Sequence, residues 1–301
     1  MDLKEKRNLS EDTNSLCPKF PYIELSEGWK CIKTEGIGPF VTHAVFKNPE
    51  GKLFFWESRY HRKHHFKLDS SVGSTWWAPG AVGWWTGILF VIGSFLFALA
   101  TVPGYINLVG SHYDNITFFI GSLFFTSAAF LQYLDTVNAP HHIFDSVKEK
   151  FRLITWEPKR IDWWVTVVQF VGTIFFNIST ANAIRSNLSV SIRDHIVWSP
   201  DVHGSICFLI ACLLAWWEVS HSLWSLKPNK YSWWIAALNL TGAIAFGASA
   251  AAAFILPTTG TPKNELIMNL GTFIGAVCFL IGGLLLLPER TKEERECEKE
   301  D

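Results

Sequence analysis

The feature that most constrains this chain is the length of its uncharged runs. No Asp, Glu, Lys or Arg occurs from Ser70 to Tyr113, and the same holds for Asn115–Leu134, Trp163–Ile184, Val202–Trp217, Ser232–Pro262 and Leu266–Pro288. A soluble core helix has no need of 20 or more uncharged residues in a row, whereas about 20 apolar residues at 1.5 Å each span a ~30 Å hydrocarbon layer. The average composition, 49% hydrophobic and 18% charged, conceals this division, because the charges crowd into the two ends. A soluble enzyme, a disordered chain and a basic nucleic-acid binder are excluded, and a net charge of −1 gives no polyanion a partner.

Six spanning helices are expected, over 82–105, 115–137, 161–184, 202–224, 232–256 and 266–288. Backbone groups in lipid need partners within the chain, and the alternating ten-residue segments of a membrane barrel are missing, so the expected fold is all-α and polytopic. Residues 1–20 are polar and lack an apolar signal core, so the first span is expected to serve as the insertion signal. Lysine and arginine sit almost wholly on one side: the outer loops hold only Arg185, Arg193 and Lys263. The positive-inside rule then puts both termini in the cytoplasm, with the plasma membrane as the expected location. No cysteine falls in an outer loop, so no disulfide framework is expected. The sequons at Asn115 and Asn187 are read as chance matches.

The chain repeats itself. Trp84-Trp85, Trp163-Trp164 and Trp233-Trp234 open the odd-numbered spans, and each pair is followed at fixed spacing by a glycine (Gly93, Gly172, Gly242) and a phenylalanine (Phe97, Phe176, Phe246). On the even spans, Gly121, Gly204 and Gly275 are each followed 14 residues later by a carboxylate: Asp135, Glu218 and Glu289. Indole pairs suit the headgroup layer, and mid-span glycines permit close helix contact. The expectation is three parallel two-helix repeats about a pseudo-threefold axis along the membrane normal, unlike the inverted repeats of many transporters. The units run 81–140, 161–226 and 227–288. They are joined by a cytoplasmic N-terminal segment (1–80) containing a β-hairpin, a loop (141–160) and a charged tail (289–301). The hairpin is placed at Thr42–Phe46 and Leu53–Tyr60, around the turn Asn48-Pro49-Glu50-Gly51.

Asp135, Glu218 and Glu289 form a candidate ion or proton site, since an ionisable group in a span marks function by default, although pairing with a loop Lys or Arg is the bland alternative. Glu218 and His221 make Glu-x-x-His, a spacing that supplies metal ligands in di-iron bundles, but the other two units do not repeat it. His61-Arg62-Lys63-His64-His65 reads as a basic juxtamembrane patch touching anionic lipid. Gln169, Asn177, Asn239 and Asn269 read as polar groups that join helices. No nucleophile elbow, phosphate loop, dinucleotide glycine set or His-Glu-x-x-His motif occurs, so no enzyme activity and no cofactor are expected.

The segments from Trp84 to Ser94 and from Phe119 to Phe125 resemble the YrhK-like two-helix domain of bacterial and fungal integral membrane proteins. The likeness runs over about Trp84–Asp135, with the later hairpins as diverged copies, and it implies a membrane hairpin and nothing catalytic. Mitochondrial carriers share the three-hairpin plan, but their Pro-x-acidic-x-x-basic signature is missing here. Two functions are therefore expected to compete: passage of a small solute, cation or protons along the bundle, or a non-transporting scaffold or sensor with a cytoplasmic interaction surface. The lipid bilayer is the expected partner, with no nucleic acid.

Overall fold

The computed structural model describes residues 25, 27–63, 76–141, 150–223 and 225–289, together with the helical backbone on to Glu300. Three antiparallel strands come first: β1 (Lys30–Ile37), β2 (Phe40–Lys47) and β3 (Leu53–Glu57), in the order β1-β2-β3. The β2–β3 turn is closed by Asn48, whose side chain accepts from the Lys52 amide at 2.7 Å, and by Gly51 at φ 91. Ala44, Phe46 and Trp56 form a small core beneath the sheet. Two differences from the sequence reading appear here. A third strand, β1, joins the expected hairpin, and the second expected strand does not reach Tyr60, because the chain turns into helix α1 (Ser58–Lys63) directly after β3.

Among the described residues six further helices are long and apolar enough to cross a membrane. They are α2 (Val82–Ala100), α3 (Pro103–Val137), α4 (Ile161–Ala183), α6 (Ser199–Ser220), α7 (Tyr231–Ala252) and α8 (Glu265–Glu300), and α5 (Val190–Arg193) leads into α6 through a π turn at Asp194–Trp198. The first span ends at Ala100 rather than at Tyr105. Pro103, at the first turn of α3, suits a helix start, since its missing N–H is not needed there. Gly110 then breaks α3 at φ 80 and ψ 159, so about two turns of helix precede the main span. The fourth span ends at Ser220, where His221 adopts the left-handed conformation at φ 54.

The helices pack as pairs α2–α3, α4–α6 and α7–α8, and α3–α4, α6–α7 and α8–α2 contacts close them into a ring. Inside each pair one contact recurs. A Cβ on Gly93 would lie 2.9 Å from the Gly121 carbonyl oxygen; one on Gly172 would lie 3.2 Å from that of Gly204; one on Gly242 would lie 3.0 Å from that of Gly275. Only glycine allows backbones this close. Each glycine also accepts a ring from its partner helix: Gly121 faces Phe97, Gly204 faces Phe176 and Gly275 faces Phe246.

The space inside the ring is filled by these rings and by Phe125, Phe208 and Phe279, one from each pair. The latter three form a closed triangle with centroids 6.2 Å (Phe125–Phe208), 5.6 Å (Phe208–Phe279) and 6.0 Å (Phe125–Phe279) apart. These are contact distances for aromatic pairs. Outward, Phe95, Ile120, Ile174, Ile206, Ile244 and Ile274 are exposed, an apolar rim of the kind a bilayer covers.

The odd helices begin alike. Pro79, Pro158 and Pro228 each sit in a turn closed by an amide three residues on from its acceptor: Ala81 to Ala78 at 2.9 Å, Arg160 to Glu157 at 3.0 Å and Lys230 to Lys227 at 3.0 Å. Proline presets φ at the second position of such a turn. The first indole of each pair then donates eight residues back, to the carbonyls of Trp76, Thr155 and Ser225. The second donates six residues back, to those of Pro79, Pro158 and Pro228. The paired indoles thus cap the turn that launches each helix.

Candidate functional site at the carboxylate end of the bundle

Helix α1 has one turn and a half, too short to be stable alone. It is held by what its side chains reach. Ser58 donates to Glu218 Oε1 at 2.8 Å, and Arg62 Nη1 donates to the same oxygen at 2.5 Å. Arg59 Nε donates to Glu289 Oε1 at 2.8 Å, and the Lys63 ammonium meets the other oxygen of Glu289. Arg62, Glu218 and Glu289 are each only 1% exposed. Charges so deep persist only when paired, so this cluster is one interlocked unit.

The third carboxylate differs. Asp135 is buried, and its Oδ1 has no hydrogen-bond partner among the described residues, but it lies within electrostatic reach of Lys63 and Arg62. All three carboxylates singled out in the sequence therefore converge on the cationic face of α1. The basic run around Arg62 is not a lipid-facing patch: Arg59, His61 and Arg62 are buried against the bundle, because carboxylates at the helix ends offer them partners that lipid headgroups would otherwise supply. His64 and His65 lie outside the described residues.

Around this cluster the sheet is stitched to the loops. His61 Nε2 donates to the Pro140 carbonyl at 2.8 Å, and its ring packs on Trp56. Lys230 reaches Glu57 at 3.0 Å. Burial would raise the Glu57 carboxyl, but the Lys230 ammonium and its neighbours hold it below the usual range. His221 Nδ1 pairs with the Thr42 hydroxyl at 3.0 Å, and that hydroxyl donates to the Glu35 carbonyl. The His221 ring is therefore the donor, as a neutral imidazole. Burial, aided by the Lys227 ammonium, pushes its pKa down to about 4.

This arrangement bears on the Glu-x-x-His reading. Glu218 is committed to Ser58 and Arg62, while the left-handed turn at His221 directs that ring to Thr42. Among the described residues no group of three His, Cys, Asp or Glu side chains is placed to hold a metal ion. The uncharged polar groups within the spans behave as expected where they pair: Asn177 donates to Thr126 across α4 and α3 at 2.8 Å. Asn115 donates to the Ala183 carbonyl, so that sequon's amide is already engaged.

The residues missed in the sequence were Ser58, Arg59, Arg62 and Lys63 as partners of the carboxylates. Their signal was present as a cationic face, Arg59, Arg62 and Lys63 at helical spacing, directly after a strand. What fold and site together define is a multi-pass, membrane-type helical bundle with a small β-sheet module locked to one end. No protein-family model, curated protein or solved structure matches the chain.

Proposed function

We propose that the chain is a non-conducting membrane scaffold or sensor, built from three like-oriented, YrhK-like two-helix units about a pseudo-threefold axis, with the sheet module on the cytoplasmic face of the plasma membrane. The observation that carries this reading is the triangle of Phe125, Phe208 and Phe279, which lies where a transport path would have to run. The recurring glycine contacts and the three Pro-turn–Trp-pair starts support the repeat. A path would also have to pass the buried pairs of α1 with Glu218 and Glu289, each costly to open.

In this reading Glu218 and Glu289 are anchors rather than part of an ion route. They fix α1, and through it the sheet, so that a change in the packing of α6 or α8 reaches the cytoplasmic module. The test is flux of protons and of sodium in proteoliposomes. The wild-type protein is expected to leak no faster than empty vesicles, and Glu218→Gln to change nothing. Wild-type flux above that background, abolished in Glu218→Gln, would restore the transport reading.

A further inference from the structure

At the end of the bundle opposite α1, the ends of all six spanning helices surround a cavity of about 460 Å³. Each even-numbered span contributes one carboxylate to its wall: Asp114 from α3, Asp201 from α6 and Glu265 from α8. Among the described residues Arg193 is the one cation in the lining, which leaves a formal charge of −2. Among the described residues none of the three carboxylates has an ion-pair partner within 4.0 Å, unlike Glu218 and Glu289 at the other end. Asp114 is 6% exposed, and its Oδ1 has no hydrogen-bond partner. The unpartnered oxygens of Asp135 and Glu218 at the other end lie near Arg62 or Lys63, whereas among the described residues no cation lies near Asp114, so a charged ligand would complete it.

We infer that this cavity binds a small organic ammonium ion, with Asp114 accepting from its N–H groups. Three features select that class. The charge of the wall calls for a cation. The volume lies in the range of small-molecule sites and is far larger than a dehydrated metal ion needs. The rest of the wall is more apolar than polar, with Phe118 and Trp198 among its residues, which suits a hydrocarbon or aromatic body. The carboxylates stand on three separate helices and are not gathered into a metal cage. This deepens the sensor reading by naming its ligand: an amine seated among the ends of all six helices touches every pair of the bundle that carries the cytoplasmic module.

The test uses the full chain in lipid nanodiscs and calorimetric titration with phenethylamine, 2-phenylethanol and calcium chloride. Phenethylamine and 2-phenylethanol differ only in the charged ammonium against a hydroxyl. The amine is expected to bind at least tenfold more tightly than the alcohol, and Asp114→Asn to lose at least tenfold in amine affinity. Glu50→Gln, exposed in the β2–β3 turn at the far end, is expected to leave it unchanged. Equal affinity for amine and alcohol, an unaltered Asp114→Asn, or binding of calcium in place of the amine would each overturn the inference. If Asp114→Asn does not fold, Glu265→Gln at the exposed rim serves instead, with a several-fold loss expected and no loss refuting. Proteoliposome uptake of phenethylamine separates the two claims: uptake with the Asp114 dependence intact keeps the cavity and ends the non-conducting reading, while no binding ends the cavity alone.

Discussion

Removing either partner of the Arg62–Glu218 pair leaves the other charge buried at 1% exposure with its 2.5 Å contact gone. Breaking a buried pair from one side costs about 3–5 kcal/mol, whereas replacing both partners with apolar residues of similar size is often close to neutral. Arg62→Met should therefore destabilise by about 3–5 kcal/mol. Glu218→Leu should cost as much, plus about 1 kcal/mol because the Ser58 hydroxyl loses its acceptor. If the two sites acted independently, the double variant would lose about 7–11 kcal/mol. With the charges in contact, it should instead fall within about 2 kcal/mol of wild type, a coupling of several kcal/mol. Reversible unfolding in bicelles, followed by tryptophan fluorescence or steric trapping, measures all four corners of the cycle. Single losses below about 0.5 kcal/mol, or losses that add, would refute the claim that α1 is held by buried ion pairs.

Other consequences follow from the packing. Gly93→Ala, Gly172→Ala and Gly242→Ala place a Cβ within 2.9–3.2 Å of a facing carbonyl and should each cost about 1–3 kcal/mol in the same unfolding assay, while Gly83→Ala and Gly247→Ala, with nothing within 4 Å, should be neutral or slightly stabilising. Phe208→Ala removes one corner of the aromatic triangle and should cost about 3–5 kcal/mol; a loss below 1 kcal/mol would mean the centre is not packed. His221 has its folded pKa lowered from 6.5 to about 4, so between those values the unfolded chain binds more protons. The His221 contribution, read as wild type minus His221→Gln, should therefore fall as pH drops through that window, by up to about 3 kcal/mol, and level off below it.

The spans were readable because a bilayer demands long uncharged runs, and few soluble folds produce them by accident. Their ends were harder. The break at Gly110, the early stop at Ala100 and the left-handed turn at His221 are set by local backbone geometry that hydropathy does not report. The proline five residues before each tryptophan pair was present three times and would have located the turns. The phenylalanine four residues after each even-span glycine was likewise present three times, and it is the set that closes the centre. The carboxylates stood out because Glu218 interrupts an apolar run. Their partners did not, because Arg62 lies 156 residues from Glu218 and Arg59 lies 230 from Glu289, and no local pattern links residues so far apart. The cavity at the end opposite α1 escaped notice because Asp114, Asp201 and Glu265 follow no common register with the glycines.

Hydrogen exchange of residues 58–63 in lipid nanodiscs tests the central claim most directly. A six-residue helix has no stability of its own, so protection of its amides reports docking onto the bundle, and its dependence on the two glutamates reports the ion pairs. Strong protection is expected in the wild-type protein, with release when Glu218→Gln and Glu289→Gln are combined. Exchange of this segment in the wild-type protein at the rate of an unstructured chain would contradict the account.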